Sequence, residues 1–371
     1  MVPALRRRGH RRRHRRRGAG GGAHRRVAVT DGTDVSGSTA SSDSLRRIYD
    51  VLLLDLDGTV YRGAEPVPGA REALAAGDDT VLYVTNNASR RPSEVALHLR
   101  ELGFPADDSS VVTSSQSAAR LLAERFPAGV PVLVVGTEAL AEEVAGVGLT
   151  PVRSADAHPV AVVQGHSPDT GWAILAEATL AVRAGALWVA TNVDSTLPTE
   201  RGLVLGNGSM VAAVHNATGA TPIVAGKPAA PLLEDAIRRG GARRPLVIGD
   251  RLDTDIEGAN AVGADSLLVL TGVSTVDDLL RAPAEQRPTY VAASLTSLDQ
   301  PADRLRVASH DSWDVTVDGG DLHLAAAPSA ADPMEALRGL LDIAWANPGF
   351  GQVRPVDERA RSVVDAWAAT V

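Results

Sequence analysis

The sequence has 371 residues, enough for two or three structural units with a substantial buried core. It contains no cysteine, which excludes disulfides, thiolate nucleophiles and zinc–thiolate sites, and no apolar run approaches the roughly 18 residues that a membrane span requires. The net charge of -8 averages two unlike segments, because residues 1–30 carry eleven arginines and no acid and so leave -19 on the remainder. A soluble, cytoplasmic protein with an acidic body is expected.

Residues 1–46 combine arginine runs with GAGGGAH and a Ser/Thr/Gly/Asp stretch that reaches about Ser44. An apolar h-region is missing, which argues against secretory and twin-arginine export signals. The composition reads as a disordered tail. Any nucleic-acid contact is expected only through its arginines. Alternatively the segment precedes the true start, since no methionine lies between Met1 and Met210.

The folded pattern opens at Val51–Tyr61, VLLLDLDGTVY. Four apolar residues followed by a charged pair predict a strand buried on both faces of a parallel sheet, with Asp55 and Asp57 at its carboxyl end, where open α/β sheets bind ligands. Gly58 lets the chain turn away. On its own, this pair is either a nucleophile with its acid partner or two solvated carboxylates. A helix is predicted over 69–76, a strand over 81–84 ending in Thr85, Asn86 and Asn87, a helix over 93–102, a strand over 111–113 and a helix to Leu122. Strands alternating with helices at this spacing predict βαβ units; together they form the first segment of a catalytic core, residues 47–127.

A second α/β unit, residues 128–220, restarts with VPVLVVGTEAL. It continues through AVVQGHS, a helix over 172–183, LWVATNVD and TERGLVLGNGS. Residues 221–300 resume the first pattern and place Lys227 and Asp250 at strand mouths, so one domain inserted into another is expected. Pro228 suits the first turn of a helix. Residues 301–371 read as a hairpin around Gly319–Gly320 followed by helices over 334–345 and 357–369, too small for a catalytic domain.

Phosphate-ester hydrolysis requires a nucleophile, a proton donor, positive charge and fixed donors around the phosphoryl oxygens. Asp55 is the candidate nucleophile and Asp57 the acid that later activates water. Two carboxylates beside a dianionic phosphate need a cation, and Mg²⁺ suits an all-oxygen set. Asp55, Asp57 and Asp250 are its candidate ligands, with Asp255 as ligand or outer support. Thr85, Asn86, Asn87 and Lys227 are candidates for holding the phosphate, Lys227 as a point charge. Each has a bland alternative: a capped strand end for Thr85, a surface lysine for Lys227 and a turn for GDxxxxD. Strand ends in order, each bearing the group that one chemistry needs, favour the joint reading.

These residues resemble the haloacid dehalogenase-like phosphohydrolases: DLDGT, the Thr85 of VTNN, the Lys227 of AGKP and GDRLDTD match its successive motifs. The resemblance covers about residues 47–300. It implies a Rossmann-like parallel-sheet core, Mg²⁺ and phosphoryl transfer through Asp55. The insertion resembles the large α/β cap of the para-nitrophenyl phosphate, pyridoxal phosphate and phosphoglycolate phosphatases. With the extra C-terminal piece, the chain is most similar to the actinobacterial glycerol 3-phosphate phosphatases, whose C-terminal piece resembles an acetyltransferase fragment.

The implied substrate is a small phosphometabolite, with glycerol 3-phosphate first and phosphoglycolate or pyridoxal 5′-phosphate as alternatives. A phosphomutase would use the same core, and a non-catalytic regulator on this fold is the different-class alternative. No pyrophosphate-binding glycine loop is evident after residue 301, so acetyl-CoA binding does not carry over and the segment is expected to pack against a neighbour. GHSPDTG has Ser167 where that subgroup more often has an acid. Asn192, Asp194 and Arg201, with Thr199 and Glu200, are candidate cap contacts to substrate, and a homo-oligomer is compatible. His166 is either a specificity residue or a solvated loop histidine.

Overall fold

The computed structural model describes residues 43–368 apart from Glu200 and Ala331, so the arginine-rich tail expected over 1–46 lies almost wholly outside the described residues. Its last residues do not belong to a tail. Leu45 is fully buried at the start of a short 3₁₀ turn, Leu45–Ile48, and Arg46 is buried between Asp79 and Asp299, at 2.5 and 2.7 Å. A buried guanidinium needs such partners, since an unpaired charge there is costly to desolvate.

The core sheet contains six strands in the spatial order 290–292, 265–269, 245–249, 51–54, 81–85, 111–113. All its pairings are parallel. The first strand, Val51–Leu54, sits beside the second, Val81–Thr85, on one side and beside Pro245–Gly249 on the other. The chain therefore winds outward from that strand in both directions, and the strand order reverses at its carboxyl end. Such a switch point leaves a crevice between the diverging loops, and Asp55 and Asp250 leave the sheet there. Each strand is short, branched and buried, as a sheet covered on both faces demands.

The inserted unit forms a second parallel sheet, in the order 223–224, 187–190, 161–164, 131–135, 150–152. Ile223 and Val224 pair with Val189 and Ala190, so this sheet continues past the expected boundary at residue 220 and its last strand leads directly to Lys227. A two-residue strand has too little apolar pattern to show which sheet it joins. An exposed hairpin, Thr196–Thr199 with Gly202–Leu205, projects from the insertion.

The C-terminal segment pairs Trp313–Asp318 antiparallel with Asp321–Ala326, which turns at Gly319–Gly320 as expected. A third strand, Val353–Pro355, adds in parallel. Helices Pro333–Ala346 and Glu358–Ala368 cover this sheet. Leu337, Leu340 and Leu341 join Leu268, Leu279, Leu280 and Val291 of the core in one buried cluster. Among the described residues, no helix is long and apolar enough to cross a membrane.

Candidate active site

Asp55 follows directly on the first strand, its N–H bonded to Ile248 O at 2.8 Å. That bond extends the strand pairing by one residue and points the carboxylate into the crevice. Lys227 meets it from the end of the inserted sheet. Its Nζ donates to Asp55 Oδ1 and Asp255 Oδ1, each at 2.6 Å, and to Val84 O at 3.2 Å. The three N–H bonds of the ammonium are thereby used. Lys227 is 3 % exposed and is the only lysine in the sequence. Burial alone would lower its pKa, but the carboxylates of Asp255 and Asp55 outweigh it and raise it, so the ammonium stays charged.

The lysine loop is fixed by Asn86. Lys227 N–H donates to Asn86 Oδ1 at 2.8 Å, and Asn86 Nδ2 donates to Lys227 O at 2.9 Å. Thr85, buried at the end of its strand, accepts from Asn87 N–H at 3.1 Å, and Asn87 Oδ1 accepts from Ser89 N–H at 2.9 Å. Pro228 does not open a helix: the following helix is Ala230–Gly240, with Pro231 in its first turn and Ala229 as its cap.

Asp250 is fully buried at the end of its own strand. Val273 N–H donates to its Oδ2 at 2.7 Å and Thr59 Oγ1 to its Oδ1 at 3.3 Å. Two glycines give it room, since a Cβ on Gly58 would lie 2.5 Å and one on Gly272 1.8 Å from Oδ2. Gly58 also holds a φ of 88°, which a side chain would oppose. Asp255 lies on a π-helical turn, Leu252–Ile256, and accepts from Arg251 N–H at 3.1 Å through its second oxygen. Asp253 turns outward and pairs with Arg251.

Asp55, Asp250 and Asp255 each offer an oxygen within 4.8 Å of the others. Asp57 stands apart from this group, so the trio that converges differs from the expected trio by one residue. Three largely buried carboxylates share one ammonium, which leaves uncompensated negative charge. The consequence is visible in their protonation: burial, with Asp255 nearby, holds Asp55 well above the ordinary carboxylate range and pushes Asp250 up to about 6. An all-oxygen, over-negative pocket fits a hard divalent cation. Among the described residues, one oxygen of Asp55 accepts no hydrogen bond, whereas both oxygens of Asp255 are already engaged.

Asp57 opens to solvent at the mouth of the crevice, and its side chain makes no hydrogen bond among the described residues. The walls still displace enough water to raise its pKa against the pull of Arg90, His98 and Lys227. The two acids that look alike in DLDG thus differ in place: Asp55 is bonded to Lys227, and Asp57 stands at the solvent-facing mouth with its pKa raised by burial.

The insertion reaches the same place. Asn192 Nδ2 donates to Asn86 O at 2.8 Å, and Asn86 Nδ2 approaches Asp194 Oδ2 at 3.4 Å. Arg201 is not brought there; it is exposed at the hairpin turn, with its own N–H on Thr199 Oγ1 at 3.3 Å, and Glu200 lies outside the described residues. His166 and Ser167 border a recess of about 420 Å³ with Leu197, Leu205 and Met210. Three contributors escape a reading by residue type: the N–H groups of Val273 and Arg251 belong to backbone, and Thr59 is hidden by its own role in the turn. The last alone had a signal, its place two residues after Asp57.

Two family models match the chain: haloacid dehalogenase-like hydrolase over residues 52–150 and HAD-hydrolase-like over residues 224–298. The D-glycerol 3-phosphate phosphatase of Mycobacterium tuberculosis is 52% identical over 337 residues, covering 88% of this chain and 96% of that protein. The chain belongs to the haloacid dehalogenase-like hydrolases. A crystal structure of the glycerol phosphate phosphatase of M. tuberculosis in complex with magnesium superimposes with a TM-score of 0.86 at 52% identity, covering 88% of this chain and 99% of that one. An acid sugar phosphatase of Staphylococcus aureus is 38% identical, covering 65% of this chain and 93% of its own.

Proposed function

We propose that this protein is a Mg²⁺-dependent phosphomonoesterase that hydrolyses glycerol 3-phosphate to glycerol and phosphate. The observation that carries the reading is the convergence of Asp55, Lys227 and Asp250 at the strand-order reversal, each from a different segment of the chain. The likeness to the M. tuberculosis enzyme over nearly its whole length supports the choice of substrate. A cytoplasmic setting, where small phosphometabolites are made and used, belongs to the same proposal.

In this mechanism Asp55 supplies the nucleophilic oxygen. It attacks phosphorus, the bond from phosphorus to the glycerol oxygen breaks, and the departing oxygen takes the proton that Asp57 holds. Water then attacks the aspartyl phosphate while Asp57, now ionised, accepts its proton; the Asp55–phosphorus bond breaks and inorganic phosphate leaves. Lys227 keeps Asp55 oriented and offsets the charge of the approaching phosphate. Thr85, Asn86 and Asn87 line the turn that receives the phosphoryl oxygens.

Mg²⁺, held by Asp55 and Asp250 with Asp255 bracing from behind, would neutralise phosphoryl charge in the transition state. The insertion acts as a cap: Asn192 and Asp194, tied to Asn86, shield the crevice from water. Inorganic phosphate release from glycerol 3-phosphate, phosphoglycolate and pyridoxal 5′-phosphate, with Mg²⁺ and with EDTA, tests the proposal. Glycerol 3-phosphate is expected to give the highest kcat/KM and EDTA to abolish turnover; a clear preference for another ester would overturn the substrate.

A further inference from the structure

The loop that fixes Asp250 joins the core sheet to a short helix, and Thr271 Oγ1 ties its start to Gly58 O at 2.7 Å. Val273 N–H holds the Asp250 carboxylate at 2.7 Å, Ser274 N–H donates to Asp250 O at 3.2 Å, and Ser274 Oγ accepts from Leu252 N–H at 3.0 Å. The loop runs straight into the helix Val276–Leu280, capped by Thr275. A five-residue helix has no stability of its own, since isolated helices shorter than about 12 residues are marginal in water. Its position depends on what it packs against.

It packs between the core, at Leu252, Ile256, Leu268 and Val291, and the C-terminal segment. Trp345 Nε1 donates to Leu279 O at 3.0 Å, and Arg281, one residue past the helix, donates to Gly351 O at 3.2 Å and lies 4.7 Å over the Phe350 ring. Leu279 and Leu280 are buried against Leu337, Leu340 and Leu341. A continuous path therefore joins Trp345, through Leu279 and the Thr275 cap, to the N–H that grips Asp250. Gly272 leaves no slack in it, because a Cβ there would overlap the carboxylate.

We propose that the C-terminal module is a positioning device for the metal site, with Trp345 and Arg281 setting the geometry of Asp250 through the 271–280 segment. The inference rests on the Mg²⁺ reading above. Trp345 and Arg281 bond to Leu279, Gly351 and Phe350 rather than to the residues of the crevice, so their loss is expected to weaken metal binding while leaving turnover at saturating Mg²⁺ close to that of the unmodified enzyme. Partners that orient a ligand from outside commonly change metal affinity by about 10–100-fold, and a contact one step further out is expected to change it by about fivefold.

The test is calorimetric titration of Mg²⁺ into the full chain, its Trp345→Phe and Arg281→Met variants, and Arg354→Ala. The last removes an exposed ion pair with Asp321 on the far strand of the same module. Trp345→Phe keeps a ring and Arg281→Met keeps an apolar stem, so both are built to fold. Weaker Mg²⁺ binding in these two, with Arg354→Ala unchanged, supports the inference. Undiminished binding in both, or an equal loss in Arg354→Ala, overturns it. If the unmodified chain binds no Mg²⁺, the metal reading fails and this inference fails with it.

Discussion

Asn86 and Lys227 clasp one another through the lysine main chain and one amide: the lysine N–H donates to Asn86 Oδ1 at 2.8 Å and Asn86 Nδ2 returns to Lys227 O at 2.9 Å. Two segments separated by 141 residues are thus locked in register at the crevice. Asn86→Ala leaves both lysine backbone groups without their mates, and the lysine loop shifts. Because misplacement of about 1 Å can cost on the order of 10²-fold in rate, kcat is expected to fall by about that factor. Steady-state kinetics beside a melting curve checks this; unchanged kcat would show that the clasp is dispensable.

Lys227→Arg is expected to be as damaging as a neutral substitution, even though it keeps the charge. The ammonium directs its three hydrogens to Asp55, Asp255 and Val84 within a nearly closed pocket, and a planar guanidinium presents its donors in a fixed fork. A loss of about 10²-fold or more in kcat is predicted. Activity within a few-fold of the parent would mean that only the charge matters.

Asp57→Asn should separate substrates by leaving group. A general acid contributes roughly 10²–10⁴-fold, and that loss is expected for glycerol 3-phosphate, whose alkoxide must be protonated. p-Nitrophenyl phosphate, with its stable phenolate, should lose far less. Equal losses on the two esters would remove Asp57 from the proton transfer.

Mg²⁺ affinity is expected to depend on pH through Asp250, whose carboxyl titrates at about 6 in the metal-free protein because it is buried beside Asp255. Below that value the ion must displace a proton from Asp250, so affinity falls by about tenfold per pH unit on its account; above it Asp250 adds no further dependence. The sign for stability is opposite: an unfolded aspartate titrates near 3.9, so between about 4 and 6 the fold holds a proton that the unfolded chain has lost. Metal-free stability therefore declines as pH rises across that window, and Mg²⁺ should raise Tm more at pH 8 than at pH 5. Calorimetry across this range reads both effects, and pH-independent affinity would contradict them.

Much of the core was legible because each site residue closes an apolar strand run: Asp55 after VLLL, Thr85 after VLYV, Asp250 after PLVIG. Burial on both faces writes that pattern into the sequence, and chemistry interrupts it. The join between units was less legible, since Ile223–Val224 is too short to show which sheet it enters. The same holds for Val353–Pro355, a strand that begins inside a polar stretch. The grip on Asp250 left no mark at all, because the N–H of Val273 would be offered equally by most residues at that position. Asp57 and Asp255 exchange places in the converging group for a related reason: spacing tells which residues neighbour a strand end, and only the turn at Gly58 and the π-helical turn at Asp255 decide where their carboxylates point.

Phosphorylation of Asp55 is read by rapid quench of the enzyme with phosphate-labelled glycerol 3-phosphate and Mg²⁺. An acid-stable, hydroxylamine-sensitive phosphoenzyme is expected in the parent protein, and neither label nor turnover in a folded Asp55→Asn variant. Labelling or substantial turnover that survives this substitution would contradict phosphorylation at Asp55.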